Sequence, residues 1–158
     1  MHNCQVFVKT GIAFEDYHEA LTHIGESMVQ AGVVQTSYPQ ALLIREAEFP
    51  TGIQLEHHAV AIPHCEAMHA RTPSIYLIRP DAPVEFFQAD DEGTVAASLI
   101  IALIVTHPSE QLVLLRKLFS QLQEPTFYES LLTVPEDQLA ELFKQHVFVP
   151  APEKAAAV

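Results

Sequence analysis

With 158 residues, 49% hydrophobic and 18% charged, the chain is long enough for one core and too apolar to stay disordered. Twenty Asp and Glu against eight Lys and Arg give a formal net charge of −12. Such a surface repels phosphate backbones and anionic lipid, which argues against nucleic-acid binding and membrane insertion, and it steers a basic protein partner inward. The organisation expected is one domain over residues 1–150 followed by a low-complexity tail, 151–158. The two cysteines, Cys4 and Cys65, form no disulfide framework. The start lacks a basic stretch followed by an apolar run, and the run around Ala96–Val105 is too short to span a bilayer. The expected location is therefore cytoplasmic.

Residues 3–9 alternate as a short strand. Phe14, Tyr17, Leu21, Ile24 and Met28 recur at helical spacing and predict a helix over Phe14–Ala31, closed by Gly32. A second helix is expected over Tyr38–Glu46, ending in Arg45-Glu46. Phe49-Pro50-Thr51-Gly52 reads as a turn. Strands are expected at Ala59–Ile62, Ser74–Ile78 and Val84–Phe87, with the acidic 89–93 segment as a loop. Val95–Val105 is apolar throughout and reads as a central strand buried on both faces. After Pro108 the period turns helical through Leu112, Leu115, Leu118 and Leu122, with Ser109 as the expected N-cap. Helices over Thr126–Leu132 and Glu136–Gln145 complete the chain, the last opened by Pro135 in its first turn. Helices alternating with strands around a doubly apolar strand predict an α/β domain with helices packed on the sheet.

Val60-Ala61-Ile62-Pro63-His64 is the segment most suggestive of chemistry. An apolar strand is stopped by a proline, which places an imidazole on a rigid support at the edge of the sheet, where a partner protein can reach it. Imidazole attacks phosphorus directly to give a phosphoramidate. The transition state is loose, with charge on the equatorial oxygens, so it asks for cationic or hydrogen-bonding donors. Arg45 offers the forked guanidinium that suits a phosphoryl group. The Thr51 hydroxyl and the Gly52 amide offer neutral donors. The plainer reading is a structural His64 and a surface Arg45.

Other chemistries find less support. Four of the nine histidines, His57, His58, His64 and His69, lie close together beside Cys65 and Glu66, which raises a metal site. Adjacent side chains on an extended strand point to opposite faces, however, and no CxxC, HExxH or HxH pair is present. Cys65 directly follows His64, and sequence neighbours seldom align for proton transfer. No glycine-rich phosphate loop occurs, and no cofactor is expected.

Arg45-Glu46, Pro50-Thr51-Gly52-Ile53 and Val60-Ala61-Ile62-Pro63-His64, in that order and spacing, resemble the enzyme IIA domains of the bacterial phosphoenolpyruvate:sugar phosphotransferase system, in the fructose/mannitol superfamily. The link Ile53–Ala59 is similar to that of the galactitol-type branch. The resemblance implies a mixed β-sheet flanked by helices on both faces. It also implies that His64 accepts a phosphoryl group from the phosphocarrier protein HPr and passes it to a cysteine of enzyme IIB. Family members often carry a second histidine at the start of the helix after the central strand. Gln111 stands at the matching position here. It donates a hydrogen bond but cannot become cationic, so His58 and His107 are alternative second imidazoles. The same substitution raises the alternative of a phosphorylated regulatory sensor that feeds no sugar.

Overall fold

The computed structural model describes residues 4–148, so the tail expected over 151–158 lies outside the described residues. The strands are β1 (Gln5–Ile12), β2 (Gly52–Gln54), β3 (Ala59–Ala61), β4 (Ser74–Pro80), β5 (Val84–Phe87) and β6 (Thr94–Ile104). The helices are α1 (Tyr17–Gln30), α2 (Tyr38–Glu48), α3 (Pro108–Leu122), α4 (Pro125–Thr133) and α5 (Glu136–Val147). The strands form one mixed sheet in the order β1-β4-β6-β3-β2. β1 runs parallel to β4 and β3 parallel to β6, whereas β4–β6 and β2–β3 are antiparallel. β4 and β5 lie end to end along β6, against Ile100–Ile104 and Thr94–Ala97.

β6 organises the core because both of its faces are apolar. Leu99 to Ile104 are each at most 2% exposed. Ile100, Ala102 and Ile104 join Tyr76, Ile78 and Ala61 under α1 and α2. Leu99, Ile101 and Leu103 join Ile75, Leu77, Val60 and Ile62 under α3, α4 and α5. The period-two alternation of strands thus divides one apolar run between two helical layers, as the expected fold class requires.

Helix boundaries follow cap chemistry more closely than apolar spacing. α1 begins at Tyr17, not Phe14, because the Asp16 carboxylate accepts from Glu19 N at 2.9 Å while the Glu19 carboxylate accepts from Glu15 N. It ends in a Schellman turn: Val33 N donates to Met28 O, Gly32 N donates to Val29 O, and Gly32 has φ +78°. α3 is capped by His107, not Ser109, because Pro108 supplies a preset φ and needs no N–H partner in the first turn. Pro135 likewise stands just before α5 rather than inside it.

α2 is seated on α1 through Gly25, where an added Cβ would fall 2.7 Å from Pro39 Cβ and 2.8 Å from Pro39 Cα. Gly25→Ala is therefore expected to destabilise the protein by about 1–2 kcal/mol after its gain in helix propensity. A urea midpoint no lower than that of the unsubstituted protein would show that the two helices are free to separate.

Candidate active site

β3 carries the chain to His64. Thr51 O accepts from Ile62 N at 3.2 Å, and Pro63 O accepts from Leu103 N at 3.0 Å. The backbone is thus tied to both neighbouring strands within two residues of the imidazole. β3 is an inner strand, between β6 and β2. His64 consequently stands past the C-terminal end of a buried strand and not on a sheet edge as the sequence suggested. The parallel partner β6 ends on the same side, which brings the start of α3 to this rim. Nδ1 of His64 lies 2.8 Å from Ile62 O. A carbonyl only accepts, so in the neutral ring Nδ1 carries the proton and Nε2 the free lone pair. Burial holds the ring below the ordinary histidine pKa, and the Arg45 charge adds to this. The Ile62 carbonyl and Glu66 pull the other way.

Arg45 sits in the last turn of α2. One terminal nitrogen lies 3.6 Å from Glu66 Oε2, and the guanidinium carbon stands 4.6 Å from the centre of the Phe49 ring. Its Nε is buried without a hydrogen-bond partner among the described residues. The next residue, Glu46, turns inward and is 3% exposed. Its carboxylate accepts from both Thr51 N and Thr51 Oγ1, each at 2.8 Å.

That pairing corrects the expected role of Thr51. The hydroxyl proton is committed to Glu46, so Thr51 supports the site through its backbone instead of offering a donor. Gly52 is buried in the sheet, bridges to Gln88 and accepts from Ala89 N at 2.8 Å. A Cβ there would meet Phe87 O at 2.6 Å. Its glycine is required by close backbone approach, which no pattern of sequence spacing reveals.

Gln111 reaches the site, with Nε2 donating to Cys65 O at 3.1 Å. His107 is exposed at the start of α3. His58 does not reach it, because β3 separates the two histidines. His58 lies in the β2–β3 hairpin loop, where its Nε2 is 2.8 Å from Glu129 Oε1 and its ring stacks on Tyr128 at 4.6 Å. His57 and His58 occupy this loop, not the extended strand expected of them. Burial pushes the Cys65 thiol up to about 12, which leaves it without thiolate character. Among the described residues no group of three or more His, Cys, Asp or Glu is placed to hold a metal. Sequence reading missed Glu46 and Glu66 as parts of the site. The only signal for the former was its place beside Arg45. Exposed apolar side chains border the same groups: Ile44 and Phe49 flank Arg45, Met68 follows Glu66, and Leu112 and Val113 follow Gln111.

A mixed α/β domain that holds a neutral imidazole by one nitrogen, beside a guanidinium with uncommitted donors, is suited to carrying a phosphoryl group. The sequence matches, over residues 4–146, the family described as "Phosphoenolpyruvate-dependent sugar phosphotransferase system, EIIA 2". The chain belongs to that family and is a phosphotransferase component of the sugar phosphotransferase system. It is 58% identical over 142 residues, 90% of this chain and 95% of the relative, to the galactitol-specific EIIA component of Escherichia coli K12. The fold is similar to the crystal structure of IIA mannitol from Escherichia coli (TM-score 0.62, 24% identity, 87% of this chain and 94% of that one). It is also similar to the structure of enzyme IIAMtl in complex with phosphorylated enzyme IIBMtl from Escherichia coli (TM-score 0.63, 23% identity, 87% and 92%). A third similar fold is the nitrogen regulatory protein IIA-Ntr from Neisseria meningitidis (TM-score 0.64, 22% identity, 89% and 92%). Among the described residues no helix is long and apolar enough to cross a membrane.

Proposed function

We propose that His64 is the phosphoryl acceptor, that HPr supplies the group, and that a cysteine of a galactitol-type enzyme IIB receives it. The observation that carries this reading is the bond from His64 Nδ1 to Ile62 O. It fixes the ring and leaves Nε2 as the nucleophile. As the P–Nε2 bond forms, the bond from phosphorus to the donor's nitrogen breaks and its electron pair returns to the donor ring. The proton stays on Nδ1 throughout, donated to the Ile62 carbonyl. Arg45 neutralises charge on the equatorial oxygens of the transferring group. Gln111, whose amide reaches the backbone of Cys65 beside His64, is the neutral donor once it releases Cys65 O. The exposed apolar rim with charged surroundings has the make-up of a small transient interface, and the acidic surface favours a basic partner face. The galactitol assignment rests on the specificity of the 58% identical relatives, and the sugar itself is handled elsewhere in the system.

Incubation with phosphoenolpyruvate, enzyme I and HPr is expected to introduce one acid-labile, base-stable phosphate, which then leaves to a galactitol-type IIB. Absence of label would overturn the proposal. The pH profile is a second check. An attacking imidazole must be unprotonated, and His64 titrates below its ordinary value. The acceptance rate is therefore expected to hold on descending to about pH 6.5 and to fall only below it. An acid limb beginning well above that value would contradict a partly buried, Arg45-flanked acceptor.

A further inference from the structure

Glu66 has no part in the chemistry above, yet its carboxylate lies between the Arg45 guanidinium and the His69 imidazole. Oε2 lies 3.6 Å from the Arg45 guanidinium, and Oε1 lies 3.8 Å from His69 Nε2. His69 is itself held by Ser37 Oγ, 2.8 Å from its Nδ1, just before α2 begins. The two contacts fasten this loop to both ends of the helix that carries Arg45. Neither Glu66 contact is a hydrogen bond, since both exceed the usual limit of about 3.2 Å for N–H···O. Glu66 and Arg45 are also partly exposed, at 53% and 35%. Meanwhile Arg45 Nε is buried and, among the described residues, unpartnered. The guanidinium is thus parked beside a carboxylate and not locked to it, with a donor still owed an acceptor.

We infer that Glu66 is a positioning residue that holds Arg45 ready in the unphosphorylated protein, surrenders it to the arriving phosphoryl group, and then disfavours the phosphorylated state by like-charge repulsion. This rests on His64 being the acceptor. Glu66 follows His64 by two residues, and its charge reaches the ring, where it opposes that of Arg45. Once Arg45 has turned to the phosphoryl oxygens, the carboxylate faces added negative charge with only His69 left as a partner. A carrier must release its group as readily as it accepts it. A carboxylate two residues from the acceptor ring raises the tendency of the group to move on to the next protein.

The test is the equilibrium partition of phosphoryl groups between HPr and this protein, read by separating phosphorylated from free forms after equilibration with catalytic enzyme I. Glu66→Gln keeps the shape and removes the charge. It is expected to shift the partition toward the phosphorylated form by about threefold, within the ~1.5- to 5-fold that an exposed pair of this kind supports. Glu66→Asp is expected to stay near the original partition. A carboxylate that merely braced the loop would lower acceptance when neutralised, which is a change of opposite sign. An unchanged partition in Glu66→Gln, or one shifted toward HPr, overturns the inference. If the unsubstituted protein takes no label on His64, the acceptor assignment itself has failed. If it is labelled there and Glu66→Gln partitions identically, only the role of Glu66 has failed.

Discussion

His64→Gln is expected to accept no phosphoryl group from HPr, a loss of at least about a thousandfold, because no nucleophilic nitrogen remains at the end of β3. The substitution is chosen so that loss of activity cannot be confused with loss of fold. His64 is only partly buried, and its hydrogen bond inside the protein is the one to Ile62 O, which the glutamine amide can also donate. The stability change is therefore expected to stay within ~1 kcal/mol, read as an unshifted urea midpoint. The remaining nucleophiles are poor substitutes. The Cys65 thiol is pushed up to about 12 by burial, and His58 is stacked on Tyr128 beyond the far end of β3. Label surviving His64→Gln would move the assignment to His107, which is exposed at the first turn of α3 on the same rim.

How much of this was legible in the sequence depended on whether the determining contacts were local. β6 and β4 could be read directly, because runs such as Val95–Val105 are too apolar for any place but a doubly covered strand. α1 was legible in its apolar stripe but not in its first residue, since Phe14 packs on the core from outside the helix. β2 was invisible. The three residues following Thr51 carry no periodic signal, and they form a strand only because β3 pairs with them. The order β1-β4-β6-β3-β2 follows from pairings distant in sequence, which composition and period do not encode. The same limit applied at the site. His58 and His64 are near in sequence and apart in space because a strand runs between them. Arg45 and His64 are distant in sequence, and their association came from the fit of a guanidinium to a phosphoryl group and then from resemblance to a family, not from spacing. Thr51 looked like a free donor because its consumer, Glu46, arrives from the end of a helix.

Glu46→Ala is expected to cost about 3 kcal/mol and to slow phosphoryl acceptance roughly tenfold. Glu46 is 3% exposed, and its two oxygens satisfy the amide and the hydroxyl of Thr51. Truncation strands both donors in the interior and opens a cavity beside them. The damage reaches the imidazole through a short relay. Thr51 O accepts from Ile62 N, and Ile62 O accepts from His64 Nδ1. A loosened Thr51 therefore frees the ring whose direction the transfer requires. Glu46→Gln separates the two contributions, because its carbonyl can take the Thr51 amide while its NH₂ donates to the Thr51 hydroxyl. Burial raises the pKa of Glu46, against the opposing pull of Thr51 and Arg45. A raised acid binds more protons folded than unfolded, so its contribution to stability falls as pH rises above about 4.5. Glu46→Gln lacks that loss. Its stability relative to the unsubstituted protein is expected to improve between about pH 5 and pH 8, while Glu46→Ala stays the least stable of the three. Equal urea midpoints for Glu46→Ala and the unsubstituted protein would mean that Thr51, and with it the His64 ring, is held by something other than this carboxylate.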